Sequence, residues 1–181
     1  MRVEVVITEG VRTSLVSQAI AWRTESWATH AFVAFDRCLG VEAHCPVVRC
    51  LDVKERLDRL RCSDRAYVIM SLLDVPLQSP TQALIRALGF TGRTYDVGQA
   101  VLFLLMGTFW NGGAMVCSKL VTDTYASIGE NLFPESVLEV TDRCRIENIR
   151  KGYIVPHDLL QSRLTAVEFY PSSRVRTVSE F

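Results

Sequence analysis

The chain carries no surplus of charge: 20 Lys and Arg face 20 Asp and Glu. A balanced chain generates no broad field, so recruitment of nucleic acid or of an anionic membrane surface is not expected. Long hydrophobic runs are also lacking. The most apolar stretch, Val97 to Trp110, is interrupted by Gly98, Gln99 and Gly107 and falls short of the about 20 residues that a bilayer-spanning helix requires. A buried helix is the expectation there. The opening Met1-Arg2-Val3-Glu4-Val5-Val6-Ile7 alternates like a strand and shows no small-residue cleavage site, so no export signal is read and a soluble, cytoplasmic protein is expected.

Six cysteines occur, at 38, 45, 50, 62, 117 and 144, but no C-x-x-C pair is among them. The usual zinc-ribbon spacing is therefore missing, and no metal or other cofactor is anticipated. At 181 residues the chain can bury a sizeable core without disulfide staples. Most of the cysteines are accordingly expected to be small buried hydrophobes. Linkers, low-complexity runs and internal repeats are absent, which suggests one domain over residues 1–181.

What is present is a strand-rich first half and a helical second half. Arg2 to Ile7 reads as a strand. Ser14 to Trp22 places Leu15, Ala19 and Trp22 at helical spacing, with Thr13 or Ser14 as N-cap. From Thr29 to Phe35 the period changes to two, with His30, Phe32 and Ala34 on one face and Ala31, Val33 and Phe35 on the other. Asp36 to Gly40 supplies turn chemistry before a returning strand at Val41 to Cys45. Val47 to Val53 and Ala66 to Leu72 are further strands. Ser79-Pro80 opens a helix to Leu88, which Gly89 stops. After the break at Asn111-Gly112-Gly113, Val116, Leu120, Val121, Tyr125 and Ile128 recur at helical spacing as far as Gly129.

Cys117 thus falls in the first turn of a helix, where unpaired N–H groups and the positive end of the dipole favour thiolate over thiol. Its own N–H is placed to help hold an oxyanion. A thiolate nucleophile requires a base, and the base requires an orienting group. Of the three histidines, His30 stands at a strand start beside Trp27 and Thr29. Glu42 follows twelve residues later, across the hairpin. On a strand Glu42 and His44 share a face, so either could reach the His30 imidazole. Spacing alone leaves this trio open to a purely structural reading.

Trp27-Ala28-Thr29-His30-Ala31-Phe32-Val33-Ala34 resembles the histidine strand of the NlpC/P60 superfamily, and Met115-Val116-Cys117-Ser118-Lys119-Leu120-Val121 resembles its nucleophile helix. Val41-Glu42-Ala43 is similar to the strand that carries the third polar residue. The order His, polar residue, Cys matches the circularly permuted, YiiX/YaeF-like branch. Gly92-Arg93-Thr94-Tyr95-Asp96, Asn131-Leu132-Phe133-Pro134 and Val155-Pro156-His157-Asp158 resemble further stretches of that branch, in the same order. The resemblance implies an α+β, permuted papain-like fold with an antiparallel sheet packed against helices. It also implies a cysteine hydrolase (amidase or peptidase) with Cys117 as nucleophile, His30 as base and Glu42 as orienting residue, acting on a small-molecule, peptide or lipid-linked acyl substrate. Acyl transfer and a catalytically silent binding module are the alternatives. Two positions depart from the pattern. Phe32 stands where glycine is common and is expected to reshape the pocket, and Lys119 stands where a glutamate is common.

Overall fold

In a computed structural model, the described residues are 1–11, 13–73, 79–96, 98, 115–139, 143–150 and 153–178. Their elements follow in the order β1 (Val3–Glu9), α1 (Leu15–Thr24), β2 (Ala28–Phe35), β3 (Leu39–His44), β4 (Val47–Asp52), α2 (Val53–Cys62), β5 (Tyr67–Ser71), α3 (Ser79–Leu88), α4 (Cys117–Ala126), α5 (Glu135–Leu138), α6 (Arg143–Arg150), α7 (Pro156–Leu160) and β6 (Thr165–Tyr170). The six strands form one antiparallel sheet in the order β4-β3-β2-β1-β5-β6. This is the mixed α+β architecture expected from the period-two first half. The apolar stretch from Val97 and the break at Asn111-Gly112-Gly113 lie outside the described residues, apart from Gly98.

Alternation along the strands builds two cores. Val5, Ile7, Ala31, Val33, Val41 and Val68 join Ala83 and Ala87 of α3, Leu120, Val121 and Tyr125 of α4 and Leu159 of α7. The opposite face sends Val6, Phe32, Ala34, Tyr67 and Ile69 against Val53, Leu57 and Leu60 of α2. Both faces of the central strands are therefore covered, as their near-continuous apolar sequence demands. Truncating a fully buried member such as Leu60 or Leu120 is expected to cost about 2–5 kcal/mol.

Local chemistry sets the helix ends. The Ser17 N–H donates to Ser14 Oγ at 3.3 Å, which selects Ser14 as the cap of α1. The Glu55 N–H donates to Asp52 Oδ1 at 2.9 Å at the start of α2, while Arg59 and Arg61 oppose the dipole at its other end. At the C-terminal side of α4, Gly129 takes the left-handed φ of 79° that a residue without Cβ tolerates.

The helix at α1 stands as its spacing implied, and the expectation about the cysteines is corrected. The stripe on α1 is not a buried face: Leu15 and Trp22 are 80% and 78% exposed. Apolar residues occur all round this short helix, so periodicity could not choose the inward side. Nor are most cysteines buried. Cys38, Cys45, Cys50 and Cys62 are exposed and Cys117 alone of the described five is buried. Cys38 and Cys45 stand at turns, Cys50 on the outward positions of the end strand β4, and Cys62 at the last residue of α2.

Candidate active site

Cys117 is the first residue of α4, and Val116 before it offers no capping side chain. The first-turn amides are thus left without a side-chain cap, facing the thiol. Ser118 Oγ donates to the Ile154 carbonyl, tying this turn to the segment that leads into α7. The Asp96 N–H donates to the Met115 carbonyl at 3.2 Å, and Tyr95 bridges Met115 in parallel. The approach to Cys117 is therefore held on both sides.

His30 comes from β2. Its pairing with β3 covers Val33↔Val41, Ala34↔Gly40 and Phe35↔Leu39, so His30 and Glu42 both stand beyond the last paired rung. The His30 imidazole reaches Cys117 in one direction, and its Nε2 donates to Glu42 Oε1 at 2.9 Å in the other. Thiol, imidazole and carboxylate form one continuous line. The structure brings all three candidate residues together.

Electrostatics of the line favour separated charges. Burial pushes the Cys117 thiol up. The hydrogen bond and charge of His30, with N–H groups of Ala31 and Ser118, more than offset this and bring it below its ordinary value. Burial likewise opposes charge on His30, but its bonds to Cys117 and Glu42 and their negative charge raise it from 6.5 to about 9. Glu42 is fully buried. Burial again opposes its charge, yet His30, Arg56 and Arg49 hold it well below the usual carboxylate range. These directions together describe a thiolate–imidazolium pair with an ionised third partner.

His44 plays a different part. Its Nδ1 donates to the Cys45 carbonyl at 2.8 Å, and its ring stands edge-on to His30 with centroids 6.3 Å apart. Phe32 is fully buried in the core beneath α2. Lys119 turns along its own helix to pair with Asp123 at 3.0 Å.

Three contributors escaped the sequence reading. Arg49 and Arg56 bind Glu42, and nothing in a single chain marks two scattered arginines for one carboxylate. Tyr95 lies close enough to Cys117 that burial, reinforced by the negative charge of Cys117, pushes its phenol up. Its membership in the Gly92–Asp96 stretch was the available signal. A cavity of about 810 Å³ has Trp22, Trp27, Thr29 and Arg174 among its lining, and neither Cys117 nor His30 borders it.

No protein-family model matches the chain, and no curated protein matches it in sequence. Among solved structures, the crystal structure of the metalloprotein yiiX from Escherichia coli O157:H7, DUF1105, is similar. The TM-score is 0.65 over 94% of this chain and 98% of that one, at 14% identity. The likeness is one of fold. The metal in that protein's name finds no matching arrangement here: the described residues hold no group of three or more His, Cys, Asp or Glu side chains placed for an ion. Within the line itself, both Glu42 oxygens already accept from arginine or imidazole donors, so the residues do not fit a metal as they stand.

Proposed function

We propose that this chain is a cysteine-dependent hydrolase, an amidase or peptidase of the circularly permuted papain-like kind, working through a thioester on Cys117. The observation that carries the reading is the unbroken line from Cys117 through His30 to Glu42 at the start of a helix. The chain order of histidine, carboxylate and cysteine, which resembles that of the permuted branch, supports it, and the yiiX-like fold is compatible with it.

The Cys117 thiolate attacks the acyl carbonyl, forming a C–S bond while the carbonyl electrons move onto oxygen. The Cys117 N–H, at the uncapped helix start, faces that oxyanion. Collapse expels the leaving amine, which takes the proton of the His30 imidazolium. Neutral His30 then accepts a proton from water as its oxygen attacks the thioester. The acid departs, and the pair returns to thiolate and imidazolium. Throughout, Glu42 fixes the ring and balances its charge.

Incubation with a thiol-reactive acyl probe, followed by digestion and site mapping, tests the assignment. The adduct is expected on Cys117 and is expected to disappear in His30→Ala. An adduct confined to the four exposed cysteines would overturn the proposal.

A further inference from the structure

Glu42 is held by more than the histidine it serves. Its Oε1 accepts from His30 Nε2 at 2.9 Å and from Arg56 Nη2 at 2.8 Å. Its Oε2 accepts from Arg49 Nε at 3.2 Å and Arg49 Nη2 at 2.9 Å. Four bonds exhaust what a carboxylate can accept, so the group cannot turn about its axis without breaking several at once.

The two arginines come from separate elements. Arg49 stands directly opposite Glu42 on the β3–β4 ladder. Arg56 reaches in from α2 and is largely buried, 16% exposed. Its Nε has no hydrogen-bond partner among the described residues, a costly state for a buried donor. A side chain placed only for stability would gain from pairing that nitrogen; this one delivers its terminal nitrogen to Glu42 instead.

We infer that Arg56 and Arg49 are positioning residues that keep Glu42 ionised and oriented through both charge states of His30. The inference rests on the proposed function, in which His30 surrenders its proton to the leaving group and stays neutral for the lifetime of the thioester. A buried carboxylate facing only a neutral imidazole is an uncompensated charge. It would hold the imidazole proton back. With two guanidinium groups on it, Glu42 stays balanced whether or not His30 carries a charge, and the ring keeps its Nε2–H tautomer in both halves of the reaction.

The charged and titratable groups around His30 are few. Cys117 approaches from α4, Glu42 and the His44 ring from β3, and Arg49 and Arg56 from β4 and α2 through Glu42. Tyr95 faces Cys117. Loss of an arginine therefore removes a cation that opposes the imidazolium and leaves the Glu42 charge less compensated, and both changes favour protonated His30.

The test is an NMR titration of His30 in the full chain with labelled histidine, performed in a Cys117→Ala background so that the readout does not depend on the nucleophile. Arg56→Gln is expected to raise the His30 pKa by about one pH unit. Arg56→Lys is expected to restore the parent value, and Arg49→Gln, half-exposed on the end strand, to raise it less. Should Arg56→Gln not fold, Arg49→Gln decides the matter alone. A His30 pKa that stays put or falls in the folded variants overturns the inference. Failure of acyl labelling at Cys117 with the titration shift intact would instead strike the proposed function.

Discussion

His30 and Glu42 meet at 2.9 Å although they do not occupy the same rung of the sheet. The paired rungs Val33↔Val41 and Ala34↔Gly40, extended, would set Glu42 opposite Phe32 and His44 opposite His30. The contact between imidazole and carboxylate is thus a diagonal one, reached where the two strands are no longer paired. His44, the direct partner by register, is turned to the Cys45 carbonyl.

That diagonal predicts a clear ranking of variants. Glu42→Gln is expected to lower turnover of an acyl probe on the order of 10²-fold or more, since the orienting charge is lost. His44→Ala is expected to change it by less than about tenfold. Single-turnover rates measured side by side would transfer the orienting role to His44 if the ranking reversed.

Access and acidity pull labelling in opposite directions. Cys117 is buried while Cys38, Cys45, Cys50 and Cys62 are exposed. Yet at pH 6 a free thiol with a pKa of about 8.5 is almost wholly protonated and unreactive. Iodoacetamide at pH 6 is therefore expected to label Cys117 ahead of the exposed four. Peptide mapping that finds the exposed cysteines modified first at pH 6 would show that burial outweighs the lowered pKa.

The same pair sets an unusual pH dependence of stability. His30, raised from 6.5 to about 9, contributes fully below 6.5 and loses its contribution as the pH rises through about 9. Cys117, lowered from its ordinary value of 9.0, contributes fully above that value and loses its contribution as the pH falls. Where the folded pair keeps its proton on His30 and the unfolded chain keeps it on the thiol, the two slopes oppose and offset each other. With the thiol gone and Glu42 still raising His30, Cys117→Ala should lose stability as the pH rises from 6.5 toward 9, so the native chain minus Cys117→Ala should rise with pH over that span. Urea melts at several pH values that run parallel for the two proteins would contradict the pair.

Away from the thiol, Asp158 anchors α7. It is 1% exposed, accepts from the Val155 N–H at 2.7 Å and is clamped by Arg145. Asp158→Ala removes the cap and strands a partly buried guanidinium, at an expected cost of about 3 kcal/mol or more. Thermal denaturation is expected to show the loss. An unchanged melting temperature would mean that solvent replaces the clamp without penalty.

Strands and helices that alternate or repeat cleanly were legible in the residues. Ser79–Leu88 ends where Gly89 said it would, and α4 begins at Cys117 as the apolar spacing after the glycine pair implied. Period two likewise divided Phe32 and Ala34 from Ala31 and Val33 between two cores. Position on a face was readable, but distance was not. No local pattern could show that β2 and β3 stop pairing before His30, that two arginines 7 and 14 residues beyond Glu42 converge on it, or that Leu15 and Trp22 point outward. Those outcomes depend on how separate elements pack, which a single chain records only as residue types.

The most direct test of the whole account is the rate of Cys117 alkylation as a function of pH, in the native chain and in His30→Ala. The native profile is expected to retain its reactivity well below pH 8.5, the range of an ordinary thiol, because the imidazolium holds the thiolate. In His30→Ala the inflection is expected to move back toward that range, leaving only the contribution of the helix start. Two superimposable profiles, with both proteins folded by circular dichroism, would contradict the pairing of Cys117 with His30 on which the proposed chemistry depends.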